Sequence, residues 1–127
     1  MTPKQIVESV YDAFSRGDIP YIVGQVAPNA VWRQSKMVPW GGDYSGPSGA
    51  AEFFTKLNAA AETTGFAARE SVEAGNDVYS FGNYQCVIRS TGKSADMDWM
   101  FRWRVEDGKI TLFDSYVDSG VITAAMS

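Results

Sequence analysis

Two aspartates four residues apart, Asp114 and Asp118, are the first candidates for acid–base chemistry, because the chain contains no histidine. Without imidazole there can be no Ser-His-Asp or Cys-His arrangement and no histidine-rich zinc or non-haem iron site within the chain. Proton transfer would have to use carboxylates, tyrosines, lysines or water. We predict no metal and no cofactor, and any acid or base is expected among the carboxylates.

The orientation of Asp114 depends on the register of its strand. A register that buries Phe113 turns Asp114 outward, whereas a slip of one residue would turn it inward. A carboxyl group buried among apolar side chains has a raised pKa and can act as an acid or a base. Asp118 precedes a stretch of small residues and is interpreted as a helix cap rather than an acid.

Cys86 is the only cysteine, so the chain can form no internal disulfide. A nucleophilic role would need an activating base, and Cys86 is therefore interpreted as a small core residue. The lone thiol favours a reducing compartment. The N-terminus shows no signal-peptide pattern and no run of about 20 apolar residues, so we expect a cytoplasmic protein with no membrane partner.

The composition is that of an ordinary globular protein, with 20% charged and 45% hydrophobic residues. The length of 127 residues fits one domain spanning residues 1–127. The net charge is −4 and the basic residues are scattered, so nucleic acid is not an expected partner. Arg102 and Arg104 form the one close basic pair, and we interpret them as a solvated or dimer-facing sheet edge.

The clearest structural pattern is a hairpin over residues 97–118. Apolar residues alternate with more polar ones over residues 97–105, which is typical of a strand with one buried face. Asp107 and Gly108 then form a two-residue turn, because both positions of such a turn need a positive φ. The buried face carries Trp99, Phe101 and Trp103, and so much aromatic surface needs a covering layer or a ligand.

Helical patterns precede the strands. Thr2, a proline and Gln5 form a capping-box sequence at the start of the first helix. The predicted helices run from residue 2 to 17, from 18 to the proline at 28, and from 48 to about 65. The predicted strands cover residues 30–34, 66–74, 78–90, 95–105 and 109–118. The loop over residues 35–47 carries Trp40, which either folds over a pocket mouth or anchors the loop to the core.

Helices followed by a meander of strands predict an α+β fold. Four segments in this order resemble the SnoaL-like proteins of the nuclear transport factor two-like superfamily, namely FSRGD (14–18), NAVW (29–32), SGPSGAAEFF (45–54) and VEDGKITLFDSYVD (105–118). The resemblance implies an α+β cone, in which a curved antiparallel sheet wraps around the N-terminal helices. It also implies an apolar pocket in the mouth of the cone and a homodimer formed through the sheets.

The catalytic residues of the best-known members of this superfamily have no counterparts here. The general base of the ketosteroid isomerases aligns with Gln34, and their protonated aspartate aligns with Phe101. The arginine and aspartate of the limonene-epoxide hydrolases align with Gly82 and Tyr84, and their last-strand aspartate aligns with Ser115. The histidine of the polyketide cyclases is missing, whereas Asp114 and Asp118 flank the region that the resemblance assigns to their acid–base carboxylate.

We therefore predict a pocket that takes a small apolar molecule, with catalytic candidates at Asp114 and Ser115. The leading hypothesis is cofactor-free isomerisation, cyclisation or hydration of a polycyclic or otherwise apolar oxygenated metabolite. The alternative is a non-catalytic binding or dimerisation module. A cavity of roughly 300 Å³ or more would favour a ligand, whereas a cone filled by its own side chains would favour the module. The predicted ligand contacts are Tyr11, Phe14, Trp32, Gln34, Trp40, Tyr84, Trp99, Phe101 and Trp103.

Overall fold

Local capping signals set the start of the first helix, α1 (Pro3–Ser15). The computed structural model describes all 127 residues. The Thr2 Oγ1 accepts the Gln5 backbone N–H at 3.1 Å, and the Gln5 side-chain oxygen accepts the Thr2 backbone N–H at 2.8 Å. The predicted capping box is therefore confirmed. Gly17 follows the helix with a φ of 71°, which suits a residue without a Cβ.

The second helix, α2 (Ile19–Gly24), is shorter than predicted. Its cap is Asp18, whose Oδ1 accepts the Tyr21 backbone N–H at 3.2 Å. The prediction placed Val26 in this helix, but Val26 begins strand β1 (Val26–Gln34). Val26 is paired with Ile110 at the other end of the chain, and this long-range pairing outweighs the local helical pattern.

The third helix, α3 (Gly46–Ala60), begins and ends earlier than predicted. Its N-cap position is Ser45 rather than Ser48, and the chain is extended again from Ala61. Ala61 pairs with Ile88 as the first residue of the next strand, so sheet pairing ends the helix. The final helix, α4 (Ser119–Ala125), lies where a helical turn was predicted.

The strands that follow β1 are β2 (Gly42–Ser45), β3 (Ala61–Ala74), β4 (Asp77–Ile88), β5 (Ser94–Glu106) and β6 (Lys109–Val117). The six strands form one curved, mixed sheet in the order β2-β1-β6-β5-β4-β3. The four strands after α3 form an antiparallel meander, as predicted, whereas β1 joins β6 in parallel. The sequence patterns did not predict the edge strand β2, because it has only four residues and lies within a glycine-rich segment.

The predicted hairpin between β5 and β6 is confirmed. Asp107 and Gly108 have φ values of 51° and 76°, the positive values that this turn needs. Trp103 pairs with Phe113, so both face the concave side of the sheet. The protein therefore has the predicted α+β cone fold. No helix of the protein is long and apolar enough to cross a membrane.

Candidate functional site

A stack of three aromatic rings forms one wall of the cone interior. Trp99 lies nearly parallel to Phe101, with ring centroids 3.9 Å apart, and to Phe66 on its other side at 5.3 Å. Gly82 lies beneath this stack, because a Cβ at that position would come within 2.3 Å of the Trp99 ring. The missing side chain of Gly82 therefore lets the Trp99 indole rest on the backbone of β4.

Tyr11 connects α1 to the sheet through a buried hydrogen bond. The Trp103 Nε1–H donates to the Tyr11 hydroxyl oxygen at 2.8 Å. Burial raises the pKa of Tyr11, and its hydrogen bonds to side chains oppose that shift only in part. The phenol therefore stays neutral in the physiological pH range and can act as a hydrogen-bond donor.

Trp40 and Tyr84 form a second aromatic contact on the other side of the interior. Their ring centroids are 6.4 Å apart, and Trp40 is only 2% exposed. The Tyr84 hydroxyl is hydrogen-bonded to Thr63 Oγ1 at 2.8 Å, and burial raises the pKa of Tyr84. The loop carrying Trp40 is held by the Tyr44 hydroxyl, which donates to the Trp40 carbonyl at 3.1 Å. Trp40 thus both anchors its loop and lines the interior.

These side chains surround a cavity of about 70 Å³. All nine residues predicted as ligand contacts line it, whereas their role in binding stays a prediction. The volume is well below the lower limit of about 300 Å³ for drug-sized ligands. Nine further lining residues were not predicted, and most lie on apolar stripes that the sequence patterns assigned to the core: Val10, Ile22, Phe53, Phe54, Leu57, Phe66, Met97, Phe113 and Val117.

Gln34 is the only strictly polar residue of this lining. Its Oε1 accepts the Ser35 backbone N–H at 2.9 Å, and the residue is 7% exposed. The cavity wall therefore contains one side-chain amide and no carboxylate or amine.

Three buried side-chain atoms have no hydrogen-bond partner in the chain, namely Trp32 Nε1, Trp99 Nε1 and Ser115 Oγ. A buried polar group without a partner costs about 1–3 kcal/mol. Two of the three belong to tryptophans that line the cavity. The third, Ser115 Oγ, belongs to a residue that does not line the cavity. Ser115 lines a neighbouring polar depression, which is described in the next paragraph.

Asp114 faces the convex side of the sheet. Phe113 and Ser115 on either side of it are buried, whereas Asp114 is half-buried. Its Oδ2 accepts a hydrogen bond from the Tyr116 hydroxyl at 3.0 Å. A polar depression brings Asp114 and Ser115 together with Gln34 and Val117, and the last two also line the cavity. The depression and the cavity therefore adjoin where β1 and β6 end.

Asp118 occupies the N-cap position of α4, but its side chain accepts no capping hydrogen bond. It lines neither the cavity nor the depression. Cys86 is 1% exposed, and burial raises the pKa of its thiol. The thiol is therefore packed and protonated, in line with its interpretation as a core residue.

Arg102 and Arg104 are held by a carboxylate within the chain. The Arg104 Nε donates to Asp77 Oδ1 at 2.8 Å, and the Arg102 Nη2 donates to Asp77 Oδ2 at 3.0 Å. These hydrogen bonds and charges hold the pKa of Asp77 below its usual range. The sequence reasoning missed this cluster, because Asp77 appeared only as part of a turn. The strand register, which places Asp77 opposite Arg104, would have revealed it.

Comparisons with known proteins agree with this architecture. An NTF2-like protein from Burkholderia thailandensis superposes with a TM-score of 0.94 and 30% sequence identity, over 100% of this chain and 98% of that one. An NTF2-like protein of unknown function from Burkholderia pseudomallei gives a TM-score of 0.90 at 23% identity, over 100% and 99% of the two chains. TerC, co-crystallised with polyporic acid, gives a TM-score of 0.86 at 23% identity, over 98% and 97%.

The similarity to the Burkholderia pseudomallei protein and to TerC, each at 23% identity, establishes the fold alone. No protein of curated function matches the chain. Residues 7–113 match the family model of the SnoaL-like domain. Because this match covers most of the sequence, the chain belongs to the SnoaL-like domain family, within the NTF2-like fold.

Proposed function

We propose that the protein binds a small, neutral and largely apolar molecule in the cavity between its sheet and its helices. The main support is the composition of the cavity wall, in which 17 of the 18 lining residues are hydrophobic and the other is Gln34. Such a wall suits an uncharged occupant, because a charge buried without a partner is costly. A pocket of mostly apolar side chains with few polar groups is the usual form of a small-molecule site.

The size of the cavity favours a small occupant over the polycyclic metabolite expected from the sequence. A volume of about 70 Å³ is less than half of the roughly 150 Å³ of an engineered apolar cavity that binds benzene. A larger molecule would have to extend into the adjoining depression past Gln34 and Val117. By the volume criterion set out above, the cone is largely filled by its own side chains, which favours a non-catalytic module over catalysis on a large substrate.

The family supports binding in general terms, since SnoaL-like domains belong to a small-molecule-binding fold. TerC, which shares the fold, was co-crystallised with polyporic acid. One fold hosts many unrelated activities, so neither fact assigns a ligand to this chain. The apolar wall without charged residues is therefore the main support for binding.

Native mass spectrometry of the purified protein, incubated with a metabolite extract, would test it. Val117→Phe places a larger side chain where the cavity meets the depression. Val31→Phe is the matched control, because Val31 lies on a neighbouring strand and is 36% exposed. We expect the wild type and the control to retain a small molecule and Val117→Phe to lose it. Equal retention by all three proteins, or none by the wild type, would contradict the proposal.

We also propose that the protein forms a homodimer through the convex face of the sheet. Val72, Phe81 and Tyr116 are 49%, 44% and 53% exposed there, and Met100 lies beside Phe81 and Tyr116 in the register. Contiguous exposed apolar surface is typical of interaction sites. Sedimentation velocity should detect a dimer that Phe81→Glu dissociates. Met37→Glu, at a loop residue that is 65% exposed, should leave it intact, and a monomeric wild type would refute the dimer.

A catalytic role for Asp114 and Ser115 is the second candidate function. The observation that favours it is their shared depression, in which Ser115 Oγ is buried without a partner and lies beside Gln34. The Ser115 hydroxyl would hold the substrate and Asp114 would exchange a proton with it. If a substrate is identified, Asp114→Asn should lower kcat by at least about 100-fold, the usual contribution of a general acid or base. Full activity of that variant would remove Asp114 from the mechanism.

A further inference from the structure

The side chains on the convex face of β5 change in charge along the strand. From its N-terminal to its C-terminal end they are Asp96, Asp98, Met100, Arg102 and Arg104. These five residues alternate with residues that face the interior, so all of them lie on one face of the sheet. The sign of the charge is therefore reversed about Met100.

The neighbouring strands keep this division into an apolar centre and a charged end. Phe81 of β4 and Tyr116 of β6 flank Met100 in the register, and both are exposed. At the acidic end, the Arg69 Nη1 lies 3.7 Å from the Asp98 Oδ1. One arginine beside the two aspartates of β5 leaves that end with a net negative charge.

The opposite end of the face has a net positive charge. Asp77 accepts hydrogen bonds from both Arg102 and Arg104, so one carboxylate serves two guanidinium groups. Arg33 and Asp114 continue the row beside Arg102, and their opposite charges leave this balance unchanged. The side chains of Arg102 and Arg104 are 36% and 41% exposed, so both remain accessible to a second molecule.

This pattern is complementary to itself in only one of two simple arrangements. When two copies pack convex face to convex face, the two-fold axis lies in the plane between the sheets. An axis along β5 would place Asp98 opposite the partner's Asp98, and Arg102 opposite the partner's Arg102. An axis across β5 at Met100 places Asp98 opposite the partner's Arg102 instead. Because like charges that face each other are costly, the second arrangement is favoured.

We infer that the homodimer is built around a two-fold axis that crosses β5 at Met100, with Asp96 and Asp98 of each copy facing Arg104 and Arg102 of the other. This inference rests on the homodimer proposed above and specifies its geometry. Both faces are convex, so the copies touch mainly along β5 and β6 in the middle of the sheet. Stacked sheets lie about 10 Å apart, a gap that the long arginine side chains can bridge.

Charge reversal within one chain tests this geometry. Asp98→Arg and Arg102→Asp each put like charges opposite each other twice in the dimer. Each should therefore raise the dissociation constant of the dimer by at least about tenfold at low ionic strength. The double variant restores opposite charges across the axis and should return to within about threefold of the wild type. Asp12→Arg, at an exposed position of α1, is the matched control and should leave dimerisation unchanged. Sedimentation equilibrium measures each constant.

Cross-linking gives a second readout that does not depend on charge. An equimolar mixture of Asp98→Cys and Arg102→Cys should be linked by a short bismaleimide, whereas either variant alone should be linked poorly. Like positions are offset by about 14 Å along the strand, beyond the reach of such a reagent. Cys86 is only 1% exposed and gives no background. Asp96→Cys with Arg104→Cys repeats the test and replaces the first pair if one of its variants fails to fold.

The outcomes distinguish the geometry from the dimer on which it rests. If the wild type is a monomer, both proposals fall. If the wild type is a dimer that Phe81→Glu dissociates, but the double charge variant stays as weak as the single ones, the dimer stands and this axis is overturned. Single charge variants that dimerise as tightly as the wild type would also overturn it, as would efficient cross-linking of Asp98→Cys to itself.

Discussion

Gly82→Ala is the substitution whose effect the structure defines most directly. Gly82 lies on β4 between Ala68 of β3 and Trp99 of β5. A Cβ at this position would lie 2.0 Å from the Ala67 carbonyl oxygen and 2.3 Å from Trp99 Cζ2. The first of these atoms is backbone and the second belongs to a stacked ring, so neither can move aside at low cost.

Two opposing effects set the magnitude. Adding a methyl group to a tightly packed interior costs about 1–3 kcal/mol, whereas replacing a glycine stabilises by about 0.4–1 kcal/mol through the unfolded chain. The net expectation is a loss of about 1–2 kcal/mol. For 127 residues, unfolding entropies of about 2.1 cal/mol/K per residue convert this loss into a Tm lower by roughly 4–8 °C.

Thermal unfolding followed by far-UV circular dichroism would measure this shift. Near-UV spectra would report any displacement of the Trp99 ring. Gly24→Ala is the matched control, because a Cβ at Gly24 meets nothing within 4 Å, and its Tm should equal or slightly exceed that of the wild type. If Gly82→Ala unfolded at or above the wild-type temperature with an unchanged near-UV spectrum, the argument from close packing would be refuted.

Three further substitutions probe single hydrogen-bonded groups. Thr2→Ala removes the capping box of α1 and should destabilise the protein by about 1 kcal/mol in urea denaturation. Tyr11→Phe leaves the Trp103 N–H without its acceptor and should cost about 1–3 kcal/mol in the same assay. Asp77→Asn should cost about 1 kcal/mol near neutral pH. Because the pKa of Asp77 is lowered in the folded protein, this difference should be full above the usual aspartate pKa of about 4 and shrink as the pH falls below it.

Each of these variants has a control of the same chemical change. Thr64→Ala alters an exposed threonine, Tyr79→Phe alters a tyrosine on the convex face beside Arg102, and Asp43→Asn alters an aspartate whose nearest cation is 4.0 Å away. All three controls should stay close to the wild-type stability. If a control variant lost as much stability as the test variant with which it is paired, the assigned hydrogen bond would not be the cause of the loss. A pH-independent difference for Asp77→Asn would contradict its charge-based origin.

The elements with strong local patterns were predictable from the sequence. The alternation over residues 97–105 and the turn at Asp107 and Gly108 correctly predicted the β5–β6 hairpin and its inward face. The inward positions on the strands followed from the period of two, and those of Tyr11 and Phe14 followed from the apolar stripe of the first helix; these residues line the cavity.

The features that depend on long-range pairing were not predictable. Val26 pairs with Ile110 and Ala61 pairs with Ile88, and each pairing ends a helix earlier than the local pattern indicates. The volume of the cavity could not be predicted either, since it depends on how the aromatic rings stack. The two unpaired indoles emerged only from the packed structure, because sequence alone does not tell which donors find an acceptor.

The parallel pairing of β1 with β6 has a consequence for the order of folding. β3 to β6 are joined by short turns, whereas the pairing of Trp32 with Phe113 must close a loop across most of the chain. Distant contacts form more slowly than local ones, so we expect the meander to assemble first and β1 to dock last. Until then the edge of β6 is unpaired, and the aromatic interior lacks the wall that Trp32 supplies. The partly folded chain is therefore the species most prone to aggregation.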